Sequence, residues 1–105
     1  MEIRQSMRWQ VYILLCSDAS LYTGISTDVK RRVAQHAAGT GAKYFRGRSP
    51  CQIVYLESGH NRSSASRREM LIKKMGLTEK RLLIRSADNQ LDLLAAHDSS
   101  CRHFL

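Results

Sequence analysis

At 105 residues, with 43% apolar and 25% charged residues, the chain has the proportions of one globular domain with its own core, which excludes a disordered or fibrous protein. No run approaches the roughly 18 consecutive apolar residues of a membrane span, and the first ten residues lack the apolar core of a signal peptide, so a cytoplasmic protein without membrane attachment is expected. The formal charge of +8 is uneven: Lys30 to Arg85 holds 14 basic against 3 acidic residues, a net +11, and such a field attracts polyanions, nucleic acid before an anionic membrane.

In chain order, Trp9 to Cys16 is rich in β-branched, aromatic and aliphatic residues and reads as a strand. Ser17-Asp18-Ala19-Ser20 follows as a tight turn, and Leu21 to Ile25 as a second strand, closing a hairpin. Gly24 in that strand marks a place where a side chain would obstruct a bend or a ligand. Thr27 is the expected cap of a helix from Asp28, with Val29, Val33 and Ala37 on one face and Gly39 or Gly41 at its end. Gly39 to Pro50 has no helical period. With Lys43, Arg46 and Arg48 around Tyr44 and Phe45, it reads as a basic, aromatic-bearing loop suited to nucleic-acid contact.

Gln52 to Glu57 reads as a third strand, Ser58 to Asn61 as a turn, and the Ser-rich stretch beyond as a helix reaching Met75 and stopped by Gly76. Thr78 is the expected cap of a short third helix through Ile84. The pattern is β-β-α-β-α-α, an α+β class, in a domain over residues 1–85 followed by a tail over 86–105. Cys16, Cys51 and Cys101 are odd in number, far apart and without a C-x-x-C pair, which argues against disulfides or a zinc ribbon. His97, Cys101 and His103 match no zinc-site spacing.

Val11-Tyr12-Ile13 on the first strand and Tyr22-Thr23-Gly24 on the second resemble, in degenerate form, the paired motifs for which GIY-YIG nucleases are named. Arg32 stands eight residues beyond Gly24, and His36 one helical turn later on the same face, as in that family. Arg68-Glu69-Met70-Leu71-Ile72-Lys73-Lys74 resembles the family helix that carries a single metal-binding Glu. The match runs in order over about residues 9 to 85, and its stretch from His36 to Tyr44, with Pro50 and the strand Ile53 to Glu57, is similar to short stand-alone bacterial members.

The resemblance implies a three-stranded antiparallel sheet flanked by helices, and a metal-dependent endonuclease acting on DNA in preference to RNA, in repair or recombination. It implies Tyr12 as general base, Tyr22 as its assistant, Arg32 at the phosphate, His36 at the site beside it, and Glu69 holding one Mg²⁺ or Mn²⁺. Lys43, Tyr44, Arg46, Arg48 and Lys73 are the expected nucleic-acid contacts.

Each residue also has a plainer reading. Tyr12 and Tyr22 fit as sheet-face aromatics, Arg32 as a solvated charge, and His36 as a surface residue or a partly buried hydrogen-bond donor. Ser66 to Glu69 fits an S-x-x-E capping box, and Glu69 with Lys73 an i,i+4 pair. Asn89 is a candidate for an Asn that helps hold the family's active site. Two rival functions remain: a nucleic-acid-binding module that does not cut, and a subunit that cuts only when a partner protein targets it.

Overall fold

The computed structural model describes residues 7–39, 45 and 47–91. The elements are β1 (Trp9–Cys16), β2 (Leu21–Ser26), α1 (Val29–Ala37), β3 (Pro50–His60), α2 (Arg62–Lys73) and α3 (Leu77–Ile84). They form the α+β arrangement expected from the sequence, a three-stranded antiparallel sheet in the order β2-β1-β3 with helices on both faces.

β1 is central because it is apolar on both sides: Val11, Tyr12, Ile13 and Leu14 are all buried, so every side chain meets a covering layer. Alternation then divides the core. Val11 and Ile13 face Ala65 and Ile72 of α2 and Leu83 of α3, whereas Tyr12 and Leu14 face Val29 and Val33 of α1 together with Phe45, Leu56 and Leu91. A register slip of one residue would exchange the two layers.

The hairpin turn is held by Asp18, whose Oδ1 accepts from the Ser20 backbone N–H at 3.1 Å and from the Ser20 hydroxyl at 2.6 Å. β3 is longer than the expected 52–57, since its pairing with β1 absorbs register shifts and continues to Trp9 opposite His60.

Three helix starts differ from expectation. α1 is capped by Asp28, not Thr27: the Asp28 carboxylate accepts from the Arg31 N–H at 3.2 Å. α2 begins at Arg62 under an Asn61 cap, with Asn61 Oδ1 accepting from the Ser64 N–H at 2.8 Å and Ser64 Oγ from the Asn61 N–H at 3.1 Å. Ser66 is therefore inside the helix, and the Ser66 to Glu69 capping box does not exist. α3 starts one residue before Thr78, with Glu79 reaching back to the Gly76 N–H at 3.0 Å.

Residues 86–91 turn back onto the sheet. The Asn89 side chain donates to the Val54 and Ile84 carbonyls at 2.9 and 2.8 Å and accepts from the Leu56 and Leu91 N–H groups at 3.2 and 3.0 Å. All four of its hydrogen-bonding positions are used. Gln90 continues the attachment, its N–H donating to the Leu56 carbonyl and its Oε1 accepting from the Ser58 N–H.

Candidate active site

Tyr12 and Gly24 are directly paired across β1 and β2, and the pairing gives the phenol its path. The Tyr12 ring crosses the sheet over Gly24, where an added Cβ would lie 2.5 Å from Oη and 2.7 Å from Cζ. The obstruction that the glycine avoids is thus with Tyr12 itself. Beyond it, Tyr12 Oη shares a 3.1 Å hydrogen bond with Nε2 of His36, which α1 brings in from above.

Around this bond the aromatic groups pack closely. The Tyr22 ring centroid lies 6.3 Å from that of Tyr12, 5.3 Å from His36 and 4.9 Å from Phe45, and Phe45 stacks on the His36 imidazole at 4.3 Å. Phe45 lies in the segment read from the sequence as a basic loop suited to nucleic-acid contact. It is buried, and the reason is aromatic packing that covers the His36 ring.

Arg32, one turn before His36, lies close enough for its charge to act on Tyr12, and it donates from Nη1 to Gln35 Oε1 at 3.1 Å. Glu69 enters from the other side of the sheet on α2, close enough for its charge to act on both Tyr12 and Tyr22. One Glu69 oxygen holds Lys73 Nζ at 3.2 Å, so the expected i,i+4 pair is present.

Tyr12, Tyr22, Arg32, His36, Glu69 and Lys73 are thus brought together by four elements. Arg48 is elsewhere, paired with Asp18 at the hairpin turn at 3.2 Å. Lys43, Tyr44 and Arg46 lie outside the described residues, as do His97, Cys101 and His103.

The electrostatics separate the roles. Burial, reinforced by the neighbouring Tyr22 phenol, pushes Tyr12 well above the ordinary tyrosine range, while Arg32 opposes the shift. Tyr22 is raised by burial too, against the positive charges of Lys73 and Arg32. His36 moves the other way: burial, then repulsion from Arg32, lowers its pKa and keeps the imidazole neutral at neutral pH. A protonated phenol therefore faces a neutral base.

Among the described residues there is no cluster of three or more His, Cys, Asp or Glu side chains placed to hold a metal ion. The donor set at the site is one carboxylate. That suits a hard divalent ion which keeps most of its water and shares a substrate phosphate, and does not suit a zinc centre.

Residues 8–81 match the family of the GIY-YIG catalytic domain. The chain belongs to the GIY-YIG family. Its relatives include a UPF0213 protein of Halobacterium salinarum, 51% identical over 73 residues that make up 70% of this chain and 95% of that protein. A UPF0213 protein of Desulfotalea psychrophila is 44% identical over 81 residues, 76% of this chain and 74% of that one.

The solution NMR structure of a UPF0213 protein from Bacillus halodurans is 36% identical, with a TM-score of 0.52 over 88% of this chain and 98% of the other. That of an E. faecalis protein is 35% identical, with a TM-score of 0.52 over 72% and 81%. A GIY-YIG domain is in general terms a nuclease domain, and its substrate is nucleic acid. Among the described residues no helix is long and apolar enough to cross a membrane.

Proposed function

We propose that this GIY-YIG protein is a divalent-metal-dependent endonuclease that hydrolyses DNA phosphodiester bonds in the cytoplasm, in repair or recombination. The observation that carries the reading is the pairing of a buried, protonated phenol with a neutral imidazole, Tyr12 with His36, beside Arg32 and Glu69.

A phenol with a raised pKa is a poor base by itself. It can take a proton from water only as its own proton leaves, and the His36 ring is placed to receive it. Water passes a proton to Tyr12 Oη while Tyr12 passes its own to Nε2, and the resulting hydroxide attacks phosphorus in line with the leaving oxygen. Arg32 stabilises the charge that develops on the phosphoryl oxygens. Tyr22 holds the water or the phosphate. Mg²⁺ or Mn²⁺, held by the Glu69 carboxylate with waters and phosphate, would supply Lewis-acid stabilisation of the leaving oxygen. Lys73, half exposed beside Glu69, offers a phosphate contact at the rim.

A Mg²⁺-dependent cleavage screen over single-stranded, duplex, flapped and branched DNA and RNA tests the proposal, with Glu69→Gln as its control. Wild type cuts DNA, and Glu69→Gln binds it without cutting. Equal cleavage by Glu69→Gln, or cleavage unchanged by a chelator, refutes the metal role; cleavage confined to RNA refutes the substrate.

A further inference from the structure

A second polar cluster lies under the first half of α2, away from the Tyr12 phenol. Its centre is Glu57 on β3. Tyr55 Oη donates to Glu57 Oε2 at 2.6 Å, His60 Nε2 lies 2.8 Å from Oε1, and Arg68 Nε donates to both oxygens at 3.1 Å. His60 Nδ1 in turn lies 2.9 Å from Ser64 Oγ, the hydroxyl that closes the α2 cap. Burial alone would raise the Glu57 pKa, but the hydrogen bonds from Tyr55, His60 and Arg68 hold the carboxyl below its usual range. Glu57 is therefore a fixed anion with a full set of donors.

The position of this anion matters because of the face it grips. Ala65, Arg68, Glu69 and Ile72 are spaced i, i+3, i+4, i+7, one stripe of α2 turned toward the sheet, where Ala65 and Ile72 are fully buried. The two middle residues diverge. Arg68 leans to β3 and Glu57, whereas Glu69 acts on Tyr12 and Tyr22 on the β1 and β2 side.

An apolar stripe by itself allows a helix to roll, since Ala and Ile contacts are not directional. A carboxylate about 6 Å from the helix axis moves about 2 Å when the helix turns by about 20°. An active site tolerates about 0.5 Å.

We infer that Glu57 is a positioning residue for the nuclease site: by holding Arg68 it fixes the rotation of α2 about its axis and so aims the Glu69 carboxylate at the tyrosine pair. The inference rests on the proposed metal role of Glu69, and two readouts keep them separable.

The first readout needs no metal: the NMR ring signals of Tyr12 and Tyr22, which sense the Glu69 charge. The second is Mn²⁺ binding to the intact protein, followed by paramagnetic broadening of those signals. Glu57→Gln should shift both rings and weaken Mn²⁺ binding about ten-fold. Arg68→Lys, which keeps the charge and loses the Nε donor, should give a smaller change of the same kind. Leu83→Ala, a core truncation on α3, supplies a comparable loss of thermal stability without touching the cluster.

Unmoved tyrosine rings in folded Glu57→Gln or Arg68→Lys overturn the inference, as does an equal ring shift in Leu83→Ala. Should Glu57→Gln not fold, the Arg68→Lys rings decide alone. If Glu69→Gln binds Mn²⁺ as wild type does, the metal reading falls while the ring shifts still judge the positioning role.

Discussion

Tyr12 and His36, 24 positions apart in the chain, meet in a 3.1 Å hydrogen bond that joins the central strand to the helix above it. Tyr12 is only 1% exposed, so a packing role competes with a chemical one, and removing the hydroxyl alone separates them. Tyr12→Phe should fold and bind nucleic acid like wild type, yet lose about 10²- to 10⁴-fold in turnover, as loss of proton transfer does. Single-turnover cleavage beside a thermal melt reads both. Wild-type turnover in a folded Tyr12→Phe protein removes the phenol from the mechanism.

Gly24→Ala should reproduce that defect without touching a reactive group. The new Cβ would meet Tyr12 Oη at 2.5 Å, Cζ at 2.7 Å and Tyr22 Cε2 at 3.0 Å, and the Tyr12 ring is too closely packed to yield cheaply. Overpacking of this kind costs about 1–3 kcal/mol and should part Tyr12 from His36. A lowered melting temperature with strongly reduced turnover is expected. An unperturbed Tyr12 ring signal with normal activity would show that the ring has room the structure denies it.

His36 makes stability depend on pH with a definite sign. Its folded pKa is lowered by burial and by Arg32, so the unfolded chain takes up a proton first as pH falls through about 6.5. The contribution is complete above that value and is lost progressively below it, down to the folded pKa. Urea titrations from about pH 7.5 to about pH 5 should show this loss in wild type and a flatter profile in His36→Gln. Identical slopes for the two proteins would mean that His36 titrates alike in both states.

Much of this site was readable because its spacing is local. Tyr12 and Tyr22 sit on adjacent strands of one hairpin, and Arg32 and His36 one turn apart on one helix, so sequence distance fixes their geometry. The inward place of Phe45 was not legible because an aromatic in a glycine-rich basic segment carries no periodicity to show where it points. The Glu57–Arg68 pair was not legible for a related reason: the partners are on different elements, and no strand or helix spacing links them. The Ser66 to Glu69 capping box was a false signal because S-x-x-E spacing also occurs inside a helix, and packing of Ala65 against the sheet puts the helix start earlier, under Asn61. The Asn89 side chain lay in a stretch with no pattern, yet it bonds four backbone groups.

That arrangement leads to a test in which one atom is exchanged. Asn89→Asp keeps an oxygen to accept from the Leu56 and Leu91 N–H groups, but it replaces the amide that donates to the Val54 and Ile84 carbonyls with a second oxygen. At neutral pH an anionic oxygen then faces two carbonyl oxygens. Each lost bond to a partly buried acceptor costs about 1–3 kcal/mol, so the variant should be clearly less stable than wild type. Protonating the new carboxyl restores one donor, which makes its folded pKa higher than the unfolded value of about 3.9. The folded state then binds more protons than the unfolded one, and the deficit relative to wild type should be full above the folded pKa and shrink below it. Asn89→Ala loses the same bonds with nothing to titrate, so its deficit should not change with pH over that range. Melting temperatures of the three proteins at about pH 7 and about pH 4.5 distinguish these cases, and an Asn89→Asp protein as stable as wild type at pH 7 would show that the two donated bonds hold nothing in place.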